Sequence, residues 1–191
     1  MPTLKGTLTE KNLLAAYAGE CQDSLLYAYF AKQAKKDGFE QVCAIFLETG
    51  DQEKAHARRM HKLMAGLEAE VCLPLKAQVL GATLKNLLAA VAAEHLAGVE
   101  FYPACAATAR GEGFAEAALV FENIALAERT HLSRFQALAD NMESGRVFVR
   151  ETPVVWRCRH CGWVHEAKAA PERCPACAHP RAHFEISPSN W

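Results

Sequence analysis

Residues 124–135 read IALAERTHLSRF and residues 49–60 read TGDQEKAHARRM. Each stretch carries a Glu-x-x-His, Glu128 with His131 and Glu53 with His56, and the two copies stand 75 positions apart. Residues three apart in an α-helix share a face. In both stretches the rest of that face is mostly apolar: Val42, Phe46, Thr49, Met60 and Leu63 continue one stripe, and Phe114, Ala117, Phe121, Ile124, Phe135 and Leu138 the other. A stripe recurring about every 3.5 residues faces a helical core, so these acids and imidazoles point inward.

Two further stripes each carry one glutamate. Leu13, Tyr17, Glu20, Ser24, Tyr27 and Ala31 form one, and Leu84, Leu87, Val91, Glu94, Gly98 and Phe101 the other. Four carboxylates then converge on one core, with no Lys or Arg on any stripe to answer them. Unpaired, each would cost several kcal/mol, against a whole-domain stability of roughly 5–15 kcal/mol. Two divalent cations would cancel the four charges, and four Glu with two His supply the donors. A Glu from each of two helices plus Glu-x-x-His from each of the other two is the ligand pattern of di-iron and di-manganese carboxylate bundles. His95 lies off its stripe and reads as an ordinary surface histidine.

Working outward, helical patterns cover roughly 8–36, 39–65, 82–110 and 114–144. Thr7-x-x-Glu10 predicts a capping box at the first, and Gly38 and Gly113 punctuate the turns inside two hairpins. The segment 66–81, with Pro74, reads as a long crossover. The hairpins repeat each other: AKKDGFEQVCAIF from Ala34 matches ARGEGFAEAALVF from Ala109. The expected fold is mainly α, a four-helix bundle with the crossover between helices 2 and 3. One slip stands out, because Glu20 precedes Tyr27 by seven positions and Glu94 precedes Tyr102 by eight. With Pro103 removing a backbone N–H, a kink or π-bulge is expected between Gly98 and Pro103.

After Gly145 the pattern changes to β-branched residues and then to cysteines and prolines, which predicts domains at 1–148 and 149–191. WRCRHCGWVHE and PERCPACAHP hold two CxxC knuckles, Cys158/Cys161 and Cys174/Cys177. They build a tetrahedral S₄ site, for zinc or a single iron. Trp156, Trp163 and Phe184, with backbone N–H groups aimed at the sulfurs, lean toward iron. Cys21, Cys43, Cys72 and Cys105 read as small buried hydrophobes.

Composition sets the outer bounds. The 191 residues are 51% hydrophobic and 23% charged with a net charge of −1, ordinary for a globular chain and unlike a nucleic-acid binder. The acidic excess lies before residue 146 and a basic excess after it, which suits docking of the tail on a bundle, its own or another chain's. The N-terminus has no signal-peptide pattern and no run nears the ~20 apolar residues of a membrane span. A cytoplasmic protein without membrane contact is expected.

With Glu20, Glu53-x-x-His56, Glu94, Glu128-x-x-His131, Cys158-x-x-Cys161 and Cys174-Pro-Ala-Cys177 in place, the chain resembles the rubrerythrin family over essentially its whole length. The resemblance implies a ferritin-like di-iron bundle followed by a rubredoxin-like Fe(Cys)₄ domain. Tyr27 and Tyr102 match family tyrosines that hydrogen-bond ligand carboxylates, and Glu53 and Glu128 match the bridging carboxylates. The implied function is reduction of hydrogen peroxide to water in oxidative-stress protection. Electrons would come from NADH through a separate reductase or a rubredoxin, entering at the Cys₄ iron. In the implied head-to-tail homodimer, or a higher homo-oligomer, that iron serves the other chain's di-iron site. The rival readings are an O₂-activating oxidase or ferroxidase, and a non-catalytic metal store with a structural zinc ribbon.

One family ligand is absent. Rubrerythrins carry a further Glu one turn after the helix 3 ligand, where this chain has Ala97. In the family that Glu and the helix 2 histidine alternate at one iron with oxidation state. With Ala97 the expectation is that His56 stays bound in both states, leaving a symmetric six-ligand site.

Overall fold

The computed structural model describes residues 3–69, 72 and 77–189. Its bundle comprises α1 (Leu8–Lys36), α2 (Glu40–Leu63), α3 (Thr83–His95), α4 (Tyr102–Gly111) and α5 (Ala115–Glu143), with a π-helical turn at Leu96–Phe101 joining α3 to α4. The flanking residues His95, Leu96 and Tyr102 keep helical dihedrals, so α3, the π turn and α4 run as one rod, the third arm of a four-helix bundle. The connection from α2 to α3 shows no helix or strand among the described residues, and Pro74 lies outside them.

Local chemistry sets the ends. Thr7 Oγ1 accepts the Glu10 N–H at 3.1 Å, one half of a capping box. The other half differs from expectation: Glu10 reaches the N–H of Gly6 at 2.5 Å, because the Thr7 N–H is taken by the Leu4 carbonyl. Gly38 and Gly113 turn the two hairpins at φ 85° and 84°, conformations that a Cβ disfavours. The hairpins are tied end to end by matching bonds. Asp37, beyond the end of α1, accepts the N–H and hydroxyl of Thr83 at the start of α3 (2.9 and 2.6 Å). Glu112, beyond α4, accepts those of Thr9 at the start of α1 (2.8 and 2.6 Å).

The π turn starts two residues before the expected break. The Tyr102 N–H reaches back five residues to the Ala97 carbonyl, the bond of a π turn. Pro103 has no N–H to offer the preceding turn. The Gly98 carbonyl is taken instead by Arg129 Nε of α5 at 2.9 Å. Gly98 also lies at a close approach of the rods: a Cβ there would stand 2.9 Å from the Glu128 Cβ and 3.1 Å from backbone atoms of Ala125 and Arg129.

The core has three layers along the bundle axis. One end packs Leu13, Met60, Tyr102, Phe121 and Ile124. The other packs Tyr27, Phe30, Phe46, Leu87 and Phe135. Between them every rod contributes acid or imidazole, so the polar layer is sealed by apolar packing on both sides. Cys43 and Cys105 are buried as expected, but Cys21 and Cys72 are exposed. Cys21 sits on the outer flank of α1, just past the buried Glu20, and Cys72 in the connection, where no apolar face covers it.

The last residues form a three-stranded antiparallel sheet in the order β2–β1–β3, with β1 Val149–Cys158, β2 Val164–Ala169 and β3 Phe184–Ile186. Trp156, Phe184 and Ala170 make its small core with Cys158 and Cys174. The module leans on the α1–α2 corner: Phe148 stacks on Phe39 at 6.1 Å, and His183 Nε2 lies 3.9 Å from Glu40. Among the described residues no helix is long and apolar enough to cross a membrane.

Candidate metal centres

Each rod delivers its acid at mid-height because the stripe spacing holds through the helix. Glu20, Glu53, Glu94 and Glu128 are 1–4% exposed, and His131 is 4% exposed. His56, at 15%, is the ligand candidate nearest to solvent. Donor atoms gather into two groups, Glu20, Glu53, His56 and Glu128 in one and Glu53, Glu94, Glu128 and His131 in the other, each spanning no more than 4.8 Å. The groups share Glu53 and Glu128, so one end glutamate and one histidine distinguish them.

These contacts have the geometry of a shared cation. His56 Nδ1 lies 2.9 Å from Glu53 and 3.0 Å from Glu128, and His131 Nδ1 lies 3.1 Å from Glu53 and 3.0 Å from Glu128. Ligands bound at about 2.1 Å and right angles stand about 3 Å apart. Despite those short approaches, both Glu53 oxygens, Glu128 Oε1 and His56 Nδ1 have no hydrogen-bond partner of acceptable geometry among the described residues. They aim at common points rather than at each other. Such orphaned buried atoms call for an ion.

Electrostatics agree. Burial pushes the Glu20 carboxyl up to about 8 and that of Glu94 up to about 9, with Glu53 and Glu128 adding to both. Burial works against the charged histidines, yet the close approach of the surrounding carboxylates lifts His56 to about 12 and His131 to about 11. The cluster draws in positive charge, as protons or as metal, and metal binding displaces the protons. Tyr27 donates to Glu94 and Tyr102 donates to Glu20, each across to the other hairpin. These bonds fix the two end glutamates, the role of outer groups at a metal site.

At the second centre the sulfurs pair at 3.8 Å (Cys158–Cys177) and 3.7 Å (Cys161–Cys174). Four sulfurs bound tetrahedrally at about 2.3 Å stand about 3.8 Å apart. The knuckles are near copies. Gly162 at φ 80° and Ala178 at φ 60° close equivalent turns, the alanine against its preference. Cys158 Sγ accepts the N–H of Cys161 and His160, Cys174 Sγ those of Cys177 and Ala176, and Cys177 Sγ that of His179. Burial opposes the Cys174 thiolate, but its N–H donors and thiol neighbours bring the thiol down to about 7. These are the N–H groups expected from the knuckle sequence.

The comparisons with known proteins fall on the same features. The family model described as Rubrerythrin matches residues 11–139 and 85–156, and that described as Rubrerythrin, rubredoxin-like domain, matches residues 156–185. The chain belongs to the rubrerythrin family. It is 51% identical over 191 residues, the full length of both chains, to a protein of Nitratidesulfovibrio vulgaris named Rubrerythrin. It is 46% identical over 189 residues, 99% of this chain and 94% of the other, to the Rubrerythrin of Porphyromonas gingivalis. Among solved structures, nigerythrin in a fully reduced, all-ferrous state superposes with TM-score 0.62 at 28% identity, covering 97% of this chain and 89% of that one. The rubrerythrin family is one of iron oxidoreductases, whose cofactors are a di-iron pair at the carboxylate–histidine cluster and an iron at the rubredoxin-like cysteines.

Two residues of the site escaped the sequence. A cavity of about 340 Å³ opens between α1 and α3, its floor formed by Glu53 and Glu128 and its wall by Ala97, Ala93 and Gly19. Asp23 and Gln78 also line it. Neither lies on an apolar stripe, so periodicity gave no reason to select them. His95 is exposed, 3.7 Å from Glu100, as an ordinary surface histidine would be.

Proposed function

We propose that this protein reduces hydrogen peroxide to water, with electrons passing from a reductase or rubredoxin, ultimately from NADH, through the cysteine centre to the carboxylate centre. The observation that carries the reading is the pair of symmetric donor groups sharing Glu53 and Glu128 beside a cavity, in the chain that also holds the tetrathiolate site. Two irons held by the six ligands would supply two electrons together, and an iron held by the cysteines would replace them singly.

The protein's part is positional. Glu53 and Glu128 would be shared by the two metals, Glu20 with His56 would hold one and Glu94 with His131 the other, and Tyr27 and Tyr102 fix the end glutamates. Cys158, Cys161, Cys174 and Cys177 hold the electron-entry iron. The division of the chain at 148/149, a cytoplasmic setting and a homodimer belong to the same proposal. Head-to-tail pairing is supported by distance. The module leans on α2 near Glu40, and Glu53 lies thirteen residues along that helix, about 20 Å at ~1.5 Å per residue.

Ala97 favours a second reading. It leaves a methyl group where the family has a carboxylate, in the wall of the cavity, and this space suits O₂ chemistry or iron oxidation. In either case His56 would remain a ligand in both oxidation states. Anaerobic reduction followed by stopped-flow mixing with peroxide or with O₂ separates the readings. Faster reoxidation by peroxide is expected, and faster reoxidation by O₂ overturns the assignment. A colourless cysteine centre and no catalytic turnover would indicate a zinc ribbon on a metal store.

A further inference from the structure

Converting one peroxide to two waters consumes two electrons and two protons. The groups facing the site are poor proton sources: the four glutamates and two histidines are held as ligands. Burial, with Glu94 beside Tyr27 and Glu20 beside Tyr102, pushes both phenols well above 10. Among the described residues lining the cavity, Asp23 is the one remaining titratable group. It stands on α1 between Glu20 and Tyr27. Among the described residues no Lys or Arg lines the cavity, and no hydrogen bond or ion pair holds the Asp23 carboxyl.

We propose that Asp23 is the acid that delivers a proton to the oxygen leaving as the O–O bond breaks. The proposal rests on the peroxide reading given above. The balance is direct. With two electrons that a reduced metal pair held by the six ligands would supply, the O–O bond of the peroxide breaks, and the departing oxygen takes the Asp23 proton to form water. The second oxygen takes its proton from solvent, and Asp23, only partly buried, is reprotonated from solvent.

The surroundings keep the proton available. Asp23 is faced by acids and phenols from every rod: Glu20 and Tyr27 on α1, Glu53 on α2, Glu94 on α3, Tyr102 on α4 and Glu128 on α5. Burial pushes its carboxyl up to about 7, with Glu53 and Glu128 contributing less. Burial persists when metals neutralise the glutamates. Asp23 is also absent from both donor groups, which fits an acid acting on substrate in the cavity.

The test compares wild type, Asp23→Asn and Asp23→Glu, with iron content and visible spectrum recorded for each. Asp23→Asn is expected to slow peroxide-driven reoxidation at least tenfold, at the low end of general-acid effects, and to remove the limb of the pH profile near neutrality. Asp23→Glu is expected to recover most of the rate, with iron content unchanged in both. In zinc-loaded protein, infrared difference spectra of wild type against Asp23→Asn should show a carboxyl titrating near neutrality. An unchanged rate, lost iron in Asp23→Asn, or a carboxyl titrating near 4 would overturn the proposal. If wild type proves faster with O₂, the peroxide reading fails. The Asn-to-wild-type ratio is then read with O₂, where a ratio near one overturns the acid role independently.

Discussion

The two hairpins of the bundle are copies that differ by one residue, and that residue shapes the site. Before the π turn the correspondence is by 74 positions, Thr9 with Thr83 and Glu20 with Glu94. After it the correspondence is by 75, Tyr27 with Tyr102, Asp37 with Glu112, Glu53 with Glu128 and His56 with His131. In the first hairpin α1 is unbroken over 29 residues. In the second, the π turn absorbs the extra residue in the very turn that carries Ala97 and Gly98. One inserted residue in a regular helix would rotate everything after it by about 100°. The π turn confines that rotation, so Glu94 and Tyr102 both face the core. An insertion is tolerated where a partner satisfies the freed carbonyl, and Arg129 does so at Gly98.

The largest expected effect removes a shared ligand. Glu53→Ala and Glu128→Ala should each drop carboxylate-bound metal from two ions per chain to below one, measured by metal analysis of purified protein, with peroxide reduction lost. The halves are equivalent here, so one variant retaining both metals would break the comparison.

Glycine substitutions probe the next level. Gly98→Ala forces a Cβ within 2.9 Å of the Glu128 Cβ, whereas at Gly50 the nearest atom, the Ser24 carbonyl oxygen, is 3.1 Å away. Overpacking costs ~1–3 kcal/mol, against about 1 kcal/mol that Ala gains over Gly in a helix. Gly98→Ala should therefore destabilise by up to about 2 kcal/mol and perturb the visible spectrum of the di-iron site. Gly50→Ala should be nearly neutral in thermal unfolding.

The smallest effects are at the end ties. Asp37→Ala and Glu112→Ala should each lower the unfolding midpoint by about 2 °C or less, since Asp37 is exposed and Glu112 only half-buried. Hydrogen bonds from Thr83 and Thr9 hold these carboxyls below the usual range. Their contribution is therefore present at neutral pH and fades as pH falls through the depressed values. Unequal losses in calorimetry at pH 7 would sharpen the difference between the halves.

Much of this was legible in particular residues. Glu20, Glu53, His56, Glu94, Glu128 and His131 could be selected because burying a carboxylate without an answering charge is expensive, and their stripes held no cation. The seven-against-eight slip located the bulge to within two residues, because helical phase is counted in whole positions. The reciprocal bond of the capping box landed on Gly6 rather than Thr7, since a competing backbone bond is invisible in a spacing rule. Cys21 and Cys72 were misjudged because cysteine has no strong pattern of its own.

The sequence by itself determined the bundle, the candidate donor set and the four-cysteine module, because periodicity and ligand spacing are properties of the chain read along its length. Only the tertiary structure decided that Asp37 and Glu112 tie the hairpins in mirrored fashion, that Arg129 takes the Gly98 carbonyl, and that the module rests at the α1–α2 corner. It alone opened the cavity between α1 and α3 and turned Asp23 into it. Those outcomes depend on how separate helices pack and how far apart their backbones stand, and the linear order of residues carries neither.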